Sequence, residues 1–114
     1  MTPAGPANLA QGERRIVQVG SQSIGIFRVD DRYLAVRNHC PHEGAELCRG
    51  KVTGTTLPTD QLGTYEWGRE GLILRCPWHQ WEFDLETGHH LANPTCRVRT
   101  YQVIERDGEL FLEI

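Results

Sequence analysis

The chain has 114 residues, 39% of them hydrophobic, and a formal net charge of −3. That length suits one compact domain and is short for two. The charge balance argues against nucleic acid as the main partner, and no apolar run approaches the roughly 20 residues that cross a bilayer.

Residues Met1 to Gln11 (MTPAGPANLAQ) lack a charged start followed by an apolar stretch, so they do not read as a secretory signal. Residues 1–14 are expected to form a flexible lead-in, with a single domain over 15–114 and a cytoplasmic location. Ile24–Val29 reads as a strand and Tyr33–Val36 as the next, with turn chemistry in Asp30-Asp31-Arg32 between them. Leu72–Arg75 and Glu82–Leu85 are further strands, the second closed by Glu86-Thr87-Gly88. The alternating stretch Val98–Ile104 is expected to pair with Glu109–Ile114 across Arg106-Asp107-Gly108. Asp-Gly is a strong hairpin signal because glycine tolerates positive φ. No stretch sustains a 3.6-residue period for three turns, so no helix is expected. The class is all-β, a small barrel or sandwich of antiparallel sheets.

The chemistry lies in the cysteines. There are four: Cys40, Cys48, Cys76 and Cys96. In a secreted chain an even count would suggest disulfides, but nothing here points to secretion. Cysteines beside histidines then read better as metal ligands. Cys40-x-His42 and Cys76-x2-His79 are such pairs, separated by the thirty-three residues Glu43 to Arg75. Each pair follows a predicted strand, so the two sit on loops that can face each other. Two thiolates and two imidazoles suit tetrahedral zinc. They also suit a [2Fe–2S] centre in which two cysteines hold one iron and two histidines the other. Donor types alone do not separate the two. Each pair mixes one sulfur with one nitrogen, which is natural if each loop supplies one ligand to each of two irons.

Cys40-Pro41-His42-Glu43-Gly44-Ala45, with Cys76-Pro77-Trp78-His79-Gln80-Trp81-Glu82-Phe83-Asp84, resembles the Rieske [2Fe–2S] signature. It is similar to the Rieske ferredoxins and to the Rieske domains of ring-hydroxylating oxygenases, over Arg15 to Ile114. The resemblance implies an antiparallel β fold with a cluster-binding two-loop subdomain. It also implies that Cys40 and Cys76 hold the inner iron and His42 and His79 the outer one. Asn93-Pro94 falls where the family places a third, proline-containing loop. Two departures stand out. The two loops lie farther apart in sequence than is usual, and the excess falls in Thr55 to Glu70, an inserted excursion about 55–70. It reads as an extra hairpin or as a tolerated surface loop. Gln80 stands where the oxygenase-type loop usually has glycine, although some ferredoxin-type members carry glutamine there.

Respiratory Rieske proteins add one cysteine to each loop, joined as a disulfide. Here Ala45 and Trp78 occupy the like positions. Those proteins also aim a serine and a tyrosine hydroxyl at the cluster, where this chain has Trp81 and Phe83. Fewer donors to the sulfurs imply a lower potential, on the order of −150 mV.

The resemblance implies a soluble one-electron carrier that passes electrons from a reductase to an oxygenase or related redox enzyme. The chain has no room for a mononuclear iron domain and no Gly-rich nucleotide fingerprint, so it is expected to be an electron-transfer component and not itself an enzyme. A monomer is expected, with neither nucleic acid nor membrane as a partner. Two other readings stay open: an electron-relay small subunit of a larger enzyme such as a nitrite reductase, and a zinc-held binding module. His39 is expected at the surface, and His89 and His90 facing solvent or behind the ligands. Cys48 and Cys96 read as small fillers, a bridge between them being the alternative. Trp78 and Trp81 are expected to pack about the cluster, and Trp67 either to plug the excursion or to make contacts from it.

Overall fold

The computed structural model describes residues 1–41, 46–58, 65–77, 81–93 and 95–114, with side chains for all of these except 54–58 and 65–71. Nine strands run through the described residues: β1 Thr2–Pro6, β2 Arg14–Val19, β3 Gln22–Val29, β4 Arg32–Arg37, β5 Lys51–Pro58, β6 Tyr65–Arg75, β7 Glu82–Asp84, β8 Thr100–Arg106 and β9 Glu109–Glu113. The one helical element among them is a 3-10 turn, Leu47–Arg49. A six-stranded sheet has the order β1-β9-β8-β4-β3-β2, and a three-stranded sheet the order β5-β6-β7. Every pairing is antiparallel.

The turns follow from their residues. Asp107 (φ 53°) and Gly108 (φ 76°) are both left-handed, as a two-residue hairpin turn of this twist demands, so Arg106 pairs with Glu109. Asp30 also takes positive φ (55°), at the turn that lays Val29 against Arg32. Inward alternation on β9 buries Leu110 and Leu112. They join Ile24, Ile26, Ala35 and Tyr101 in a core lining the six-stranded sheet. A second core includes Phe27, Val36, Leu74 and Phe83, and so joins residues of the larger sheet to residues of the smaller one.

The expected lead-in is corrected here. Thr2–Pro6 forms a strand on β9, with Ala4 buried in the first core. Its low apolar content hides this, because an edge strand needs main-chain pairing more than side-chain burial. Arg15 on β2 donates to the carbonyls of Ala4 (3.0 Å) and Pro6 (2.8 Å) on β1. The two edges of the six-stranded sheet are thereby bridged, which curls it towards a barrel and protects edges that would otherwise be open.

The 55–70 excursion is the outer part of the β5–β6 hairpin. Lys51 to Thr53 pair with Arg75 to Ile73, the register then shifts, and Thr55 to Pro58 pair with Gly68 to Tyr65. The inner part of this hairpin carries the chain towards the second cysteine pair. Trp67 lies on the outer part, and its side chain is outside the description.

Candidate metal centre

β4 ends at Arg37, and the chain passes through Asn38 to Cys40, which is 1% exposed. The first loop returns through the 3-10 turn and Gly50 into β5. Several contacts lock this return. The Asn38 Oδ1 accepts from the Cys48 N–H at 2.7 Å, while Asn38 Nδ2 donates to Ser23 Oγ at 3.2 Å. Arg14 donates to the carbonyls of Cys48 and Gly50, with its guanidinium 5.2 Å from the centre of the Phe27 ring. A Cβ on Gly50 would fall 1.9 Å from the Arg75 carbonyl oxygen, so only glycine lets the return of the first loop lie against the root of the second.

Cys48 is fully buried under β3, where a Cβ on Gly25 would come within 2.3 Å of its Sγ. Burial pushes this thiol up to about 12, against the smaller opposing effects of a hydrogen bond with the Gly25 backbone and the charge of Arg14. It is an uncharged filler, as the sequence suggests, and unsuited to act as a thiolate ligand. Cys48 and Cys96 are both free, so no bridge joins them.

β6 delivers Cys76, 2% exposed, at the root of the second loop. The Cys76 N–H donates to the Trp81 carbonyl at 2.7 Å, which closes that loop onto β7. Arg75 and Glu82 form an ion pair of 3.0 Å across the same closure. A third segment packs behind it. The His90 Nδ1 accepts from the Asn93 N–H at 2.9 Å, and its ring lies 4.3 Å from Trp81 and 5.3 Å from Phe83, centre to centre. His90 is 8% exposed and His89 half-buried, so of the two expected placements His90 takes the inward one, behind Trp81, and not the solvent-facing one. Consecutive polar histidines after a turn give no sign of which one faces inward.

Cys40 and Cys76 share one buried core, and neither is in a disulfide. His42 and His79 lie outside the described residues, as do Trp78 and Pro94. Among the described residues no three potential ligand side chains converge, as follows when both histidines fall outside them. His39 is exposed, as expected, and Trp81 packs against the cysteine core. Two buried sulfurs in one core, neither in a disulfide, fit the thiolate half of a [2Fe–2S] donor set. Sequence reasoning missed Arg14, Asn38 and Gly50, whose contacts reach across the fold. Asn38 beside a strand end was the one available hint.

The family model for the Rieske [2Fe-2S] domain matches residues 4–102. The chain belongs to the Rieske [2Fe–2S] family. Its cofactor is therefore a [2Fe–2S] cluster and not zinc. This Rieske protein is 25% identical over 100 residues to ferredoxin CarAc of Metapseudomonas resinovorans, covering 87% of this chain and 78% of that one. It is 40% identical over 68 residues to the ferredoxin component of the naphthalene 1,2-dioxygenase system of Pseudomonas putida, covering 54% and 65% of the two chains. Among solved structures, the ferredoxin of carbazole 1,9a-dioxygenase from Nocardioides aromaticivorans IC177 superposes with a TM-score of 0.73 at 27% identity, over 98% of this chain and 97% of that one. These three relatives are ferredoxins by name, in keeping with a carrier and not a catalyst.

Proposed function

We propose that this Rieske protein carries single electrons from a reductase to an oxygenase or related redox enzyme, with its cluster held by Cys40, His42, Cys76 and His79. The observation that carries the reading is the pair of buried cysteines in one core, neither in a disulfide and each followed within three residues by a histidine. When bound, the cluster supplies reversible one-electron chemistry. Cys40 and Cys76 would hold one iron at the buried side, and His42 and His79 the other. Phe83, Leu85 and Val98 exclude water from the sulfurs. The Asn38 side-chain closure and the Cys76 main-chain closure fix where each loop starts and ends, so that little needs to move when charge changes. A single domain reaching back to the first strand, and a cytoplasmic location, complete the reading. Free cysteines suit a reducing compartment, and no helix among the described residues is long and apolar enough to cross a membrane.

The test is anaerobic reconstitution with the reductase and oxygenase of a ring-hydroxylating system. NADH should bleach the visible absorbance of this protein only when the reductase is present, and oxidised oxygenase should restore it. A coloured protein that exchanges electrons with neither component would rule out the carrier role.

A further inference from the structure

Val98 is buried in the same core as Cys40 and Cys76, and the residues on either side of it, Arg97 and Arg99, are exposed. Val36 is buried in that core too, and exposed Arg37 follows it on the way to Cys40. The two segments meet directly, the Arg37 N–H donating to the Arg99 carbonyl at 2.9 Å. The segments whose apolar residues surround the cysteines thus carry three exposed arginines. Arg97 and Arg99, with Thr87 and Thr100, line an open concavity of about 450 Å³.

The charge here runs against that of the whole molecule. The chain has 15 acidic and 12 basic residues, yet no Asp or Glu occurs from Arg32 to His42 or from Thr87 to Ile104. Among the described residues the ion pairs are made by Arg32, Arg49 and Arg75, and none involves Arg37, Arg97 or Arg99. Arg99 lies 5.2 Å from the centre of the Tyr101 ring, a contact that orients the guanidinium without neutralising it. Guanidinium forks match carboxylates, and hydroxyls beside them add further donors.

We propose that Arg37, Arg97 and Arg99 form a docking patch for a carboxylate-rich surface of the electron-transfer partner. This rests on the carrier reading above. Two separate segments supply the cations and the concavity is open, which fits several carboxylates on an extended face better than one enclosed ion. Opposite charge on segments that also line the cysteine core would steer encounter into a productive orientation.

The test uses the reduced holoprotein in stopped flow. One electron leaves the cluster and reduces hexacyanoferrate(III) to hexacyanoferrate(II), with no bond made or broken. The anionic oxidant should react more slowly as salt rises, despite the net charge of −3. R97E/R99E should slow it about tenfold at low salt and reverse the salt slope. The milder R97Q/R99Q should flatten that slope, and both variants should speed oxidation by the cation tris(phenanthroline)cobalt(III). A short polyglutamate peptide should compete with hexacyanoferrate in the wild type and not in R97E/R99E. A wild-type rate that rises with salt, or variants that leave the slope unchanged, would overturn the patch. Inorganic phosphate competing as well as the peptide at equal charge would also overturn it, in favour of a small-anion site. The visible spectrum of the same samples reads the carrier assignment separately. A colourless protein overturns that assignment and the docking proposal together, whereas a red-brown protein with the wrong salt slope overturns docking alone.

Discussion

The main-chain N–H of Cys48 donates to the Oδ1 of Asn38 at 2.7 Å, and both groups are buried. One side chain thereby ties the start of the first cluster loop to its end. Asn38→Ala would leave the Cys48 N–H buried without this acceptor. The expected loss is about 1–3 kcal/mol of stability, read from urea unfolding of the holoprotein. An unchanged midpoint would show that the loop is held elsewhere.

Gly25 and Cys48 form a second coupled pair. A methyl at position 25 would sit 2.3 Å from the Cys48 Sγ, so Gly25→Ala should destabilise by about 1–3 kcal/mol through overpacking. Cys48→Ala removes the obstructing sulfur and leaves the position-48 Cβ, 2.6 Å from that methyl, for the backbone to accommodate. In a double-mutant cycle, G25A/C48A should therefore lose clearly less than the sum of its single changes. Strict additivity would contradict the packing.

The Cys48 thiol gives a pH dependence with a definite sign. Its pKa is raised from 9.0 to about 12, with burial as the main cause. A raised folded-state value means that the neutral thiol's contribution is fully present below pH 9.0 and is lost as pH rises towards 12. The stability difference between wild type and Cys48→Ala should shrink over that window and be constant below it. A difference that stays level through the window would contradict the burial.

Phe83 is 1% exposed and packs in the core that holds both cysteines, but carries no hydroxyl. By its resemblance to respiratory Rieske proteins, Phe83→Tyr should restore a donor and raise the reduction potential. The wild type itself should lie near the low end of the Rieske range, on the order of −150 mV by protein-film voltammetry. A clearly positive wild-type value would contradict the donor argument.

Much of this architecture is legible in the chain because local rules decide it. Asp107-Gly108 announces its hairpin through the φ it requires, and Ile24–Val29 announces a buried strand through Ile24, Ile26, Phe27 and Val29. β1 and β2 escape notice for opposite reasons. β1 is built of Thr, Pro, Ala and Gly and is held by the side chain of Arg15, while β2 starts with two arginines whose contacts are long-range. Cys40 and Cys76 are legible as ligands because each has a histidine at close spacing. The burial of His90 is not, since it depends on Trp81 and Phe83 meeting its ring from another strand. The outer β5–β6 hairpin is only one of two readings open to the sequence, the other being a surface loop, because pairing such as Thr56 with Trp67 leaves no turn signal as strong as Asp-Gly.

The most direct test of the centre is pulsed EPR on the dithionite-reduced protein with ¹⁵N-labelled histidine. The account predicts a rhombic signal of low average g with couplings from two histidine nitrogens, one lost in His42→Cys and the other in His79→Cys. A reduced protein with no nitrogen coupling, or variants that keep both, would contradict it.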